Sequence, residues 1–253
     1  LSVRERNNLR ARKWRVGIGT MGVHLMSDTV IADFDRKLAR EAFEQRAAQG
    51  AAALTRLGAG ADVPVALIMR NDLTQLEVMR AAAMAGTVIV AQNWHAAAEE
   101  AGAICDDSGA QFVIIHRDLI DALRPALEGR TVIAVTPDTA LRQAYGIDDA
   151  AAKTDPETPE WSALVDAADP ITPREMMRPL MRYTSGSTGK PKGVRRLGGG
   201  PKRDFEEVLS RVGTEMLQLK PGSRFFTAAP IYHSAPSTPV SYTHLTLPTI
   251  VGV

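Results

Sequence analysis

Four short, continuously apolar runs alternate with stretches that read as helices, and this rhythm limits the fold more than any other feature. The runs are Val63 to Met69, Thr87 to Ala91, Gln111 to His116 and Thr131 to Thr136. Between them lie helical stretches at Leu73 to Ala85, Ala96 to Asp107 and Asp118 to Leu127. Strands buried on both faces read as unbroken apolar runs, because neither face meets water. Strand–helix alternation of this kind predicts an α/β fold, a mostly parallel sheet with helices packed on it. The helix limits carry local signals. Asn71-Asp72 stands ready to cap the helix at Leu73, Gly86 follows its end, and Ser108-Gly109 stops the next one. Upstream, Asp33 to Leu57 reads as a helix with Phe34, Leu38, Ala42, Gln45 and Ala48 on one stripe, ended by Gly58-Ala59-Gly60. From Pro137 to Pro179 the pattern decays into an acidic, proline-rich connector that reads as crossing one surface, against the alternative of a domain boundary, with room for short helices such as Trp161 to Ala167. Asp204 to Leu219 then reads as an amphipathic helix and Arg224 to Ala229 as a strand.

The chemistry concentrates in Tyr183-Thr184-Ser185-Gly186-Ser187-Thr188-Gly189-Lys190-Pro191-Lys192-Gly193-Val194. Glycines let a ligand approach the backbone, exposed N–H groups can form a concave anion nest, and hydroxyls add donors that rotate to suit an oxygen. Lys190 and Lys192 supply positive charge, and no Asp or Glu occurs from Pro179 to Arg203 to repel a polyanion. The pattern is not a Walker A loop, since Pro191 stands where G-x-x-x-x-G-K-[ST] requires its second glycine. It contains no G-x-S-x-G elbow either. Local physics leaves two readings open: a phosphate-gripping loop, or a structural turn rich in Gly and Ser. The flanks favour a positioned loop over a free linker, because Leu180 to Tyr183 reads as a strand and Gly193-Val194 resumes an extended pattern.

Those twelve residues resemble the phosphate-loop signature of the adenylate-forming superfamily: acyl-CoA synthetases, amino-acid-adenylating domains and firefly-luciferase-type enzymes. The resemblance runs from about residue 29 to about 238. It implies that Thr184, Ser185, Gly186, Ser187, Thr188, Gly189 and Lys192 hold the β- and γ-phosphates of ATP, while Lys190 sits at a variable position. Asn93-Trp94-His95 with the following Ala-Glu-Glu-Ala-Gly start of a helix, and Pro230-Ile231-Tyr232-His233-Ser234-Ala235-Pro236, look like the acyl-CoA synthetase branch. By position, Tyr232 and His233 then lie near the acyl pocket and the adenylate. Without the resemblance a lone His reads as a packed or surface side chain; with it, His233 reads as a wall of the carboxylate pocket, not as a general base. The implied partners are a small carboxylic acid, ATP with Mg²⁺, and CoA as co-substrate. The two quoted segments are similar to those of synthetases for apolar acids, such as fatty or steroid side-chain acids. No catalytic side chain and no protein metal ligand is singled out.

Bulk properties exclude other classes. Net charge is +1, so no global field favours nucleic acid or a membrane surface. The single cysteine, Cys105, cannot form an internal disulfide and reads as a small buried hydrophobe. The longest apolar run, Ala81 to Ala91, is shorter than the roughly 20 residues a bilayer requires. This composition predicts a cytoplasmic protein.

Both ends of the chain carry expectations of their own. Residues 1–27 are Arg-rich and acid-poor, and read as a disordered segment or an upstream extension of the reading frame, with Met21 or Met26 as the start. Residues 28–238 read as part of an AMP-binding N-terminal domain. Val240 to Thr249 resembles the in-frame translation of a transposase-type sequencing-library adaptor, with a variable index over Ile250 to Gly252. Residues 239–253 therefore read as a non-native tail, against the alternative of a genuine strand over Val240 to Leu247. The resemblance places the family's adenine-binding segment, ribose-binding Asp, hinge and C-terminal catalytic Lys beyond this stretch. The chain as printed is then expected to be inactive alone. The rival readings are another adenylating enzyme, such as an amino-acid-activating domain, and a non-catalytic nucleotide-binding fragment.

Overall fold

The computed structural model describes residues 30–33, 36–153, 155–173, 180–184, 192–194, 211, 215, 218, 225–227, 229–233 and 249–251. The chain is α/β, as the alternation of apolar runs predicts. Its larger sheet contains β3 (Pro64–Ile68), β4 (Val88–Ala91), β5 (Phe112–His116), β6 (Thr131–Val135), β7 (Met181–Thr184) and β8 (Lys192–Val194). The strand order is β6-β5-β3-β4-β7-β8. The five strands from β3 to β7 are parallel, and β8 returns antiparallel to β7. A smaller sheet, in the order β2-β1-β10-β9, gathers β1 (Val30–Ala32), β2 (Lys37–Ala39), β9 (Phe225–Thr227) and β10 (Thr249–Val251). Here β1 pairs antiparallel with β2, and β10 lies parallel between β1 and β9. The stretch read as adaptor-encoded thus contributes Thr249–Val251 to this sheet.

The helices are α1 (Arg40–Arg56), α2 (Leu73–Ala85), α3 (Ala98–Ser108), α4 (Arg124–Leu127), α5 (Thr139–Tyr145) and α6 (Trp161–Asp166). Alternate side chains of the larger sheet feed two cores. Val65, Leu67, Ile89, Ile114 and Ile133 meet α1, α2 and α6 on one face. Ala66, Ile68, Val113 and Ile115 meet α3 and α4 on the other. The sheet is therefore covered on both sides, which accounts for its unbroken apolar runs.

Helix α2 follows its sequence signals from end to end. The Asp72 carboxylate accepts the Gln75 N–H at 2.6 Å, and Gly86 closes the helix at φ 74°. A left-handed residue there ends the hydrogen-bond ladder, and glycine adopts it without strain.

Two helices differ from expectation. The helix read from Asp33 starts only at Arg40, because Lys37–Ala39 forms β2 and Asp33 closes the turn before it. Its carboxylate accepts the Leu73 N–H at 2.8 Å and the Arg36 guanidinium at 2.5 Å, closing the turn between β1 and β2. The helix read over Asp118 to Leu127 is broken into a 3₁₀ turn, Arg117–Leu119, and the short α4. Pro125 explains the break, since inside a continuous helix its ring would clash with the preceding turn and its missing N–H would leave a gap.

The acidic connector runs across the β6 edge. It carries α5, capped by Asp138, and α6, which begins where Glu160 bridges to Ala134. Residues 1–27 lie outside the described residues, as does the helix read over Asp204 to Leu219 apart from Arg211, Glu215 and Gln218. Arg211 and Glu215 are 3.3 Å apart. Among the described residues no helix is long and apolar enough to cross a membrane.

Candidate functional site

In a parallel sheet every strand delivers its following loop to the same edge, and ligands bind outside the carboxyl ends of the strands, where the chain reverses its direction across the sheet. Here the reversal falls at β3 and β4. The chain passes from β3 to β4 on one side, then crosses back to β5 on the other. Arg70-Asn71-Asp72 follows β3, and Asn93-Trp94-His95 follows β4.

Arg70 occupies the space between these two loops. Its guanidinium makes a two-pronged pair with Asp118 at 3.0 and 2.9 Å. It also lies 4.3 Å from the Trp94 ring centre and 4.9 Å from that of Tyr145. Planar guanidinium suits this double duty, bonding in its plane and stacking on its faces. Beside it, His116 is fully buried at the end of β5. The Arg70 N–H points to His116 Nδ1 at 3.3 Å, and Nε2 lies 3.2 Å from Asp72 Oδ2. With Nδ1 accepting, the hydrogen-bond network assigns the proton to Nε2, which donates to Asp72.

Next to β4, strands β7 and β8 carry the signature loop. Their register pairs Tyr183 with Gly193 and Thr184 with Lys192. The first and last of the predicted phosphate-holding residues therefore face each other across a hairpin at the carboxyl edge of the sheet. Ser185, Gly186, Ser187, Thr188 and Gly189 lie outside the described residues. Gly193 makes room for the ends of two side chains: a Cβ there would stand 2.7 Å from Tyr183 Cζ and 2.8 Å from Met181 Cε. Tyr183 in turn donates its hydroxyl to Asp107 Oδ2 at 2.5 Å, tying the hairpin to α3. Burial, and then the bond to Asp107, push the Tyr183 phenol well above its ordinary range, so it stays protonated as a donor.

Tyr232 and His233 are adjacent in a turn in which the His233 N–H meets Pro230 O at 3.0 Å. Their ring centres are 4.3 Å apart. Tyr232 is half-buried against the main core, which raises its phenol pKa, and His233 is exposed. The structure brings this turn to the end of β3 through Asn71, whose side chain bonds Ala229 and Ile231.

Sequence reading singled out Asn71 and Asp72 only as helix caps, and did not single out Arg70 or His116. The available signal was three polar residues directly after an unbroken apolar strand, at the edge where parallel sheets place their sites. A cavity of about 720 Å³ lies between the start of α2 and the carboxyl end of β6, lined in part by Arg36, Arg46, Leu73, Glu77, Thr136 and Trp161. It contains none of the predicted site residues. Cys105 is buried as expected, and accepts from Gln92 Nε2 at 3.2 Å. Among the described residues no cluster of His, Cys, Asp or Glu could hold a metal ion.

Residues 24–248 match the AMP-binding enzyme family. The chain belongs to this family. Feruloyl-CoA synthase of Amycolatopsis sp. is 31% identical over 204 residues, covering 81% of this chain and 34% of that protein. The fatty acid–[acyl-carrier-protein] ligase ScoC of Streptomyces coeruleorubidus is 29% identical over 161 residues, covering 63% of this chain and 28% of that protein. The chain thus spans about a third of the length of these curated relatives. The same fold occurs in a benzoate CoA ligase from Burkholderia xenovorans LB400, with a TM-score of 0.70 at 19% identity over 96% of this chain and 44% of that one. It occurs too in the anthranilate CoA ligase AuaEII, with a TM-score of 0.71 at 17% identity over 91% of this chain and 42% of that one. This AMP-binding chain therefore shares its α/β layout with solved CoA ligases.

Proposed function

We propose that this chain is part of an ATP-dependent carboxylate–CoA ligase acting on a hydrophobic carboxylic acid. The observation that carries the reading is the β7–β8 hairpin, which sets Thr184 opposite Lys192 at the carboxyl edge of the parallel sheet, at either end of the signature loop. The donor set fits a triphosphate: hydroxyls, glycines and lysines, with no carboxylate from Pro179 to Arg203. In the proposed reaction a carboxylate oxygen forms a bond to the α-phosphorus of ATP, and the bond to the bridging oxygen breaks and releases pyrophosphate. The CoA sulfur then attacks the acyl carbon, and AMP leaves with the bonding electrons. Thr184, Ser185, Gly186, Ser187, Thr188, Gly189 and Lys192 hold the β- and γ-phosphates, and they stabilise the leaving pyrophosphate as its charge grows. The loop hydroxyls are oxygen donors suited to Mg²⁺, which would supply further neutralisation of phosphate charge when bound with ATP. Tyr232 and His233 form a wall of the acid pocket, and neither is assigned a proton-transfer step. We place the enzyme in the cytoplasm, with small-molecule partners only.

The test is a chain-length series of carboxylates with the enzyme at the full length of its relatives. Each methylene buried in an apolar pocket contributes roughly 0.8 kcal/mol, so kcat/KM should climb with chain length until the pocket is full. An optimum at acetate, or a strong preference for an amino acid, would assign the chain to another branch.

We propose further that the 253 residues alone do not complete the reaction. Purified chain incubated with ATP, Mg²⁺, CoA and a fatty acid is expected to yield no acyl-CoA at enzymatic rates. Turnover of about 1 per second or faster would sink this.

A further inference from the structure

We propose that Asn71 is the positioning residue of the acid-binding wall: its carboxamide fixes where Tyr232 and His233 stand, and so governs use of the carboxylic acid and not of ATP. This rests on the function proposed above. Asn71 is buried, and its side chain makes two backbone bonds to one segment. Its Nδ2 donates to Ala229 O at 2.9 Å, and its Oδ1 accepts the Ile231 N–H at 2.9 Å. A primary amide offers a donor and an acceptor side by side, so one side chain can hold a carbonyl and an N–H two residues apart. Ile231, fully buried, is then packed among Ile31, Phe43, Leu73 and Leu76. The next two residues are Tyr232 and His233, set in their turn by the Pro230 carbonyl.

The clamp cannot drift, because both neighbours of Asn71 are held. Arg70 is fixed by Asp118 and two aromatic rings, and Asp72 by the Gln75 N–H and His116. A site wall hung on such a support keeps its geometry, and small displacements of positioning groups cost rate and affinity. The ATP loop hangs instead on β7 and β8, separated from β3 by β4. Disturbing Asn71 should therefore move one substrate's parameters and spare the other's.

The experiment compares Asn71→Ala and Asn71→Asp with the unsubstituted protein. Removing the amide leaves the buried Ile231 N–H unpaired and takes the Nδ2 donor from the Ala229 carbonyl, which keeps only a 3.5 Å bond from Thr227 Oγ1. In this chain the Ile231 amide of Asn71→Ala should exchange about tenfold faster or more, by the loss of that hydrogen bond, and the Tyr232 phenol should titrate closer to its ordinary value. Asn71→Asp keeps the acceptor for Ile231 and sets an oxygen against Ala229 O, so Ile231 should stay protected. In the enzyme at full length, KM for the acid should rise about tenfold in Asn71→Ala and less in Asn71→Asp, with KM for ATP unchanged in both. Unchanged exchange at Ile231 overturns the clamp. Acid and ATP parameters that rise together, or that both stay level, overturn the positioning role. If Asn71→Ala does not fold, Asn71→Asp decides alone: an acid KM equal to that of the unsubstituted enzyme counts against the proposal. If the unsubstituted enzyme shows no acid-dependent pyrophosphate exchange, the function above falls, and Ile231 exchange with Tyr232 titration still decides whether Asn71 sets the turn.

Discussion

Lys192→Ala is expected to slow acid-dependent ATP–pyrophosphate exchange by about 10² to 10³-fold in the enzyme at the full length of its relatives, the range seen when one preorganised donor is removed from developing charge. The reason is local. Lys192 begins β8 opposite Thr184, so its backbone is held by the hairpin and by the sheet behind it. Nothing acidic in sequence from Pro179 to Arg203 competes for its charge. In the proposed reaction negative charge would move onto pyrophosphate as the bond to the α-phosphorus breaks, and a cation there would lower the barrier more than it tightens the ground state. The effect should therefore appear in the maximal exchange rate as well as in KM for ATP. Lys192→Arg should retain part of the rate, since the charge survives and the point geometry does not. An alanine variant that exchanges at the original rate would remove Lys192 from the phosphate site.

The largest stability effect is expected at Trp161. Trp161→Ala should lower unfolding free energy by about 3 to 5 kcal/mol, read as a drop in the urea midpoint with the slope unchanged. The indole is almost completely buried at the start of α6 and packs against Gly50 of α1, where an added Cβ would come 2.7 Å from Cζ2. Its Nε1 donates to Glu77 Oε1 at 2.8 Å, and Arg46 bonds the same carboxylate at 2.7 Å. One residue thus joins α1, α2 and α6, and its loss opens a cavity and leaves a buried carboxylate one donor short. Trp161→Phe separates the two effects: it keeps much of the volume and should cost about 1 to 3 kcal/mol for the unmade bond. Equal losses in both variants would show that the hydrogen bond, and not the packing, holds the three helices.

The larger sheet was legible because each of its central strands is buried on both faces, and a segment such as Phe112 to His116 can carry no polar face. Helix α2 was legible because cap, periodicity and terminal glycine agree. The β1–β2 turn was not. Asp33 reads locally as the start of a helix, and only Leu73, forty residues away, reveals what its carboxylate serves. Within the candidate site, the signature loop was legible because its residues are contiguous. The Asn71 clamp was not, because its partners Ala229 and Ile231 use backbone groups, which leave no mark on residue type.

The two sheets differ in how far the chain must travel to close them. In the larger one Val65 pairs with Ile89 after one crossover and with Phe112 after two. In the smaller one Ile31 pairs with Thr249, near the opposite end of the sequence. Non-local pairing is slow because the closure entropy must be met before any contact rewards it. The larger sheet should therefore nucleate folding while the smaller one docks after the barrier. Substitutions in β1, β9 or β10 would then change how fast the protein unfolds and leave its folding rate nearly untouched. The turn bearing Tyr232 and His233 follows β9, so it would reach its place late and be among the first parts to open.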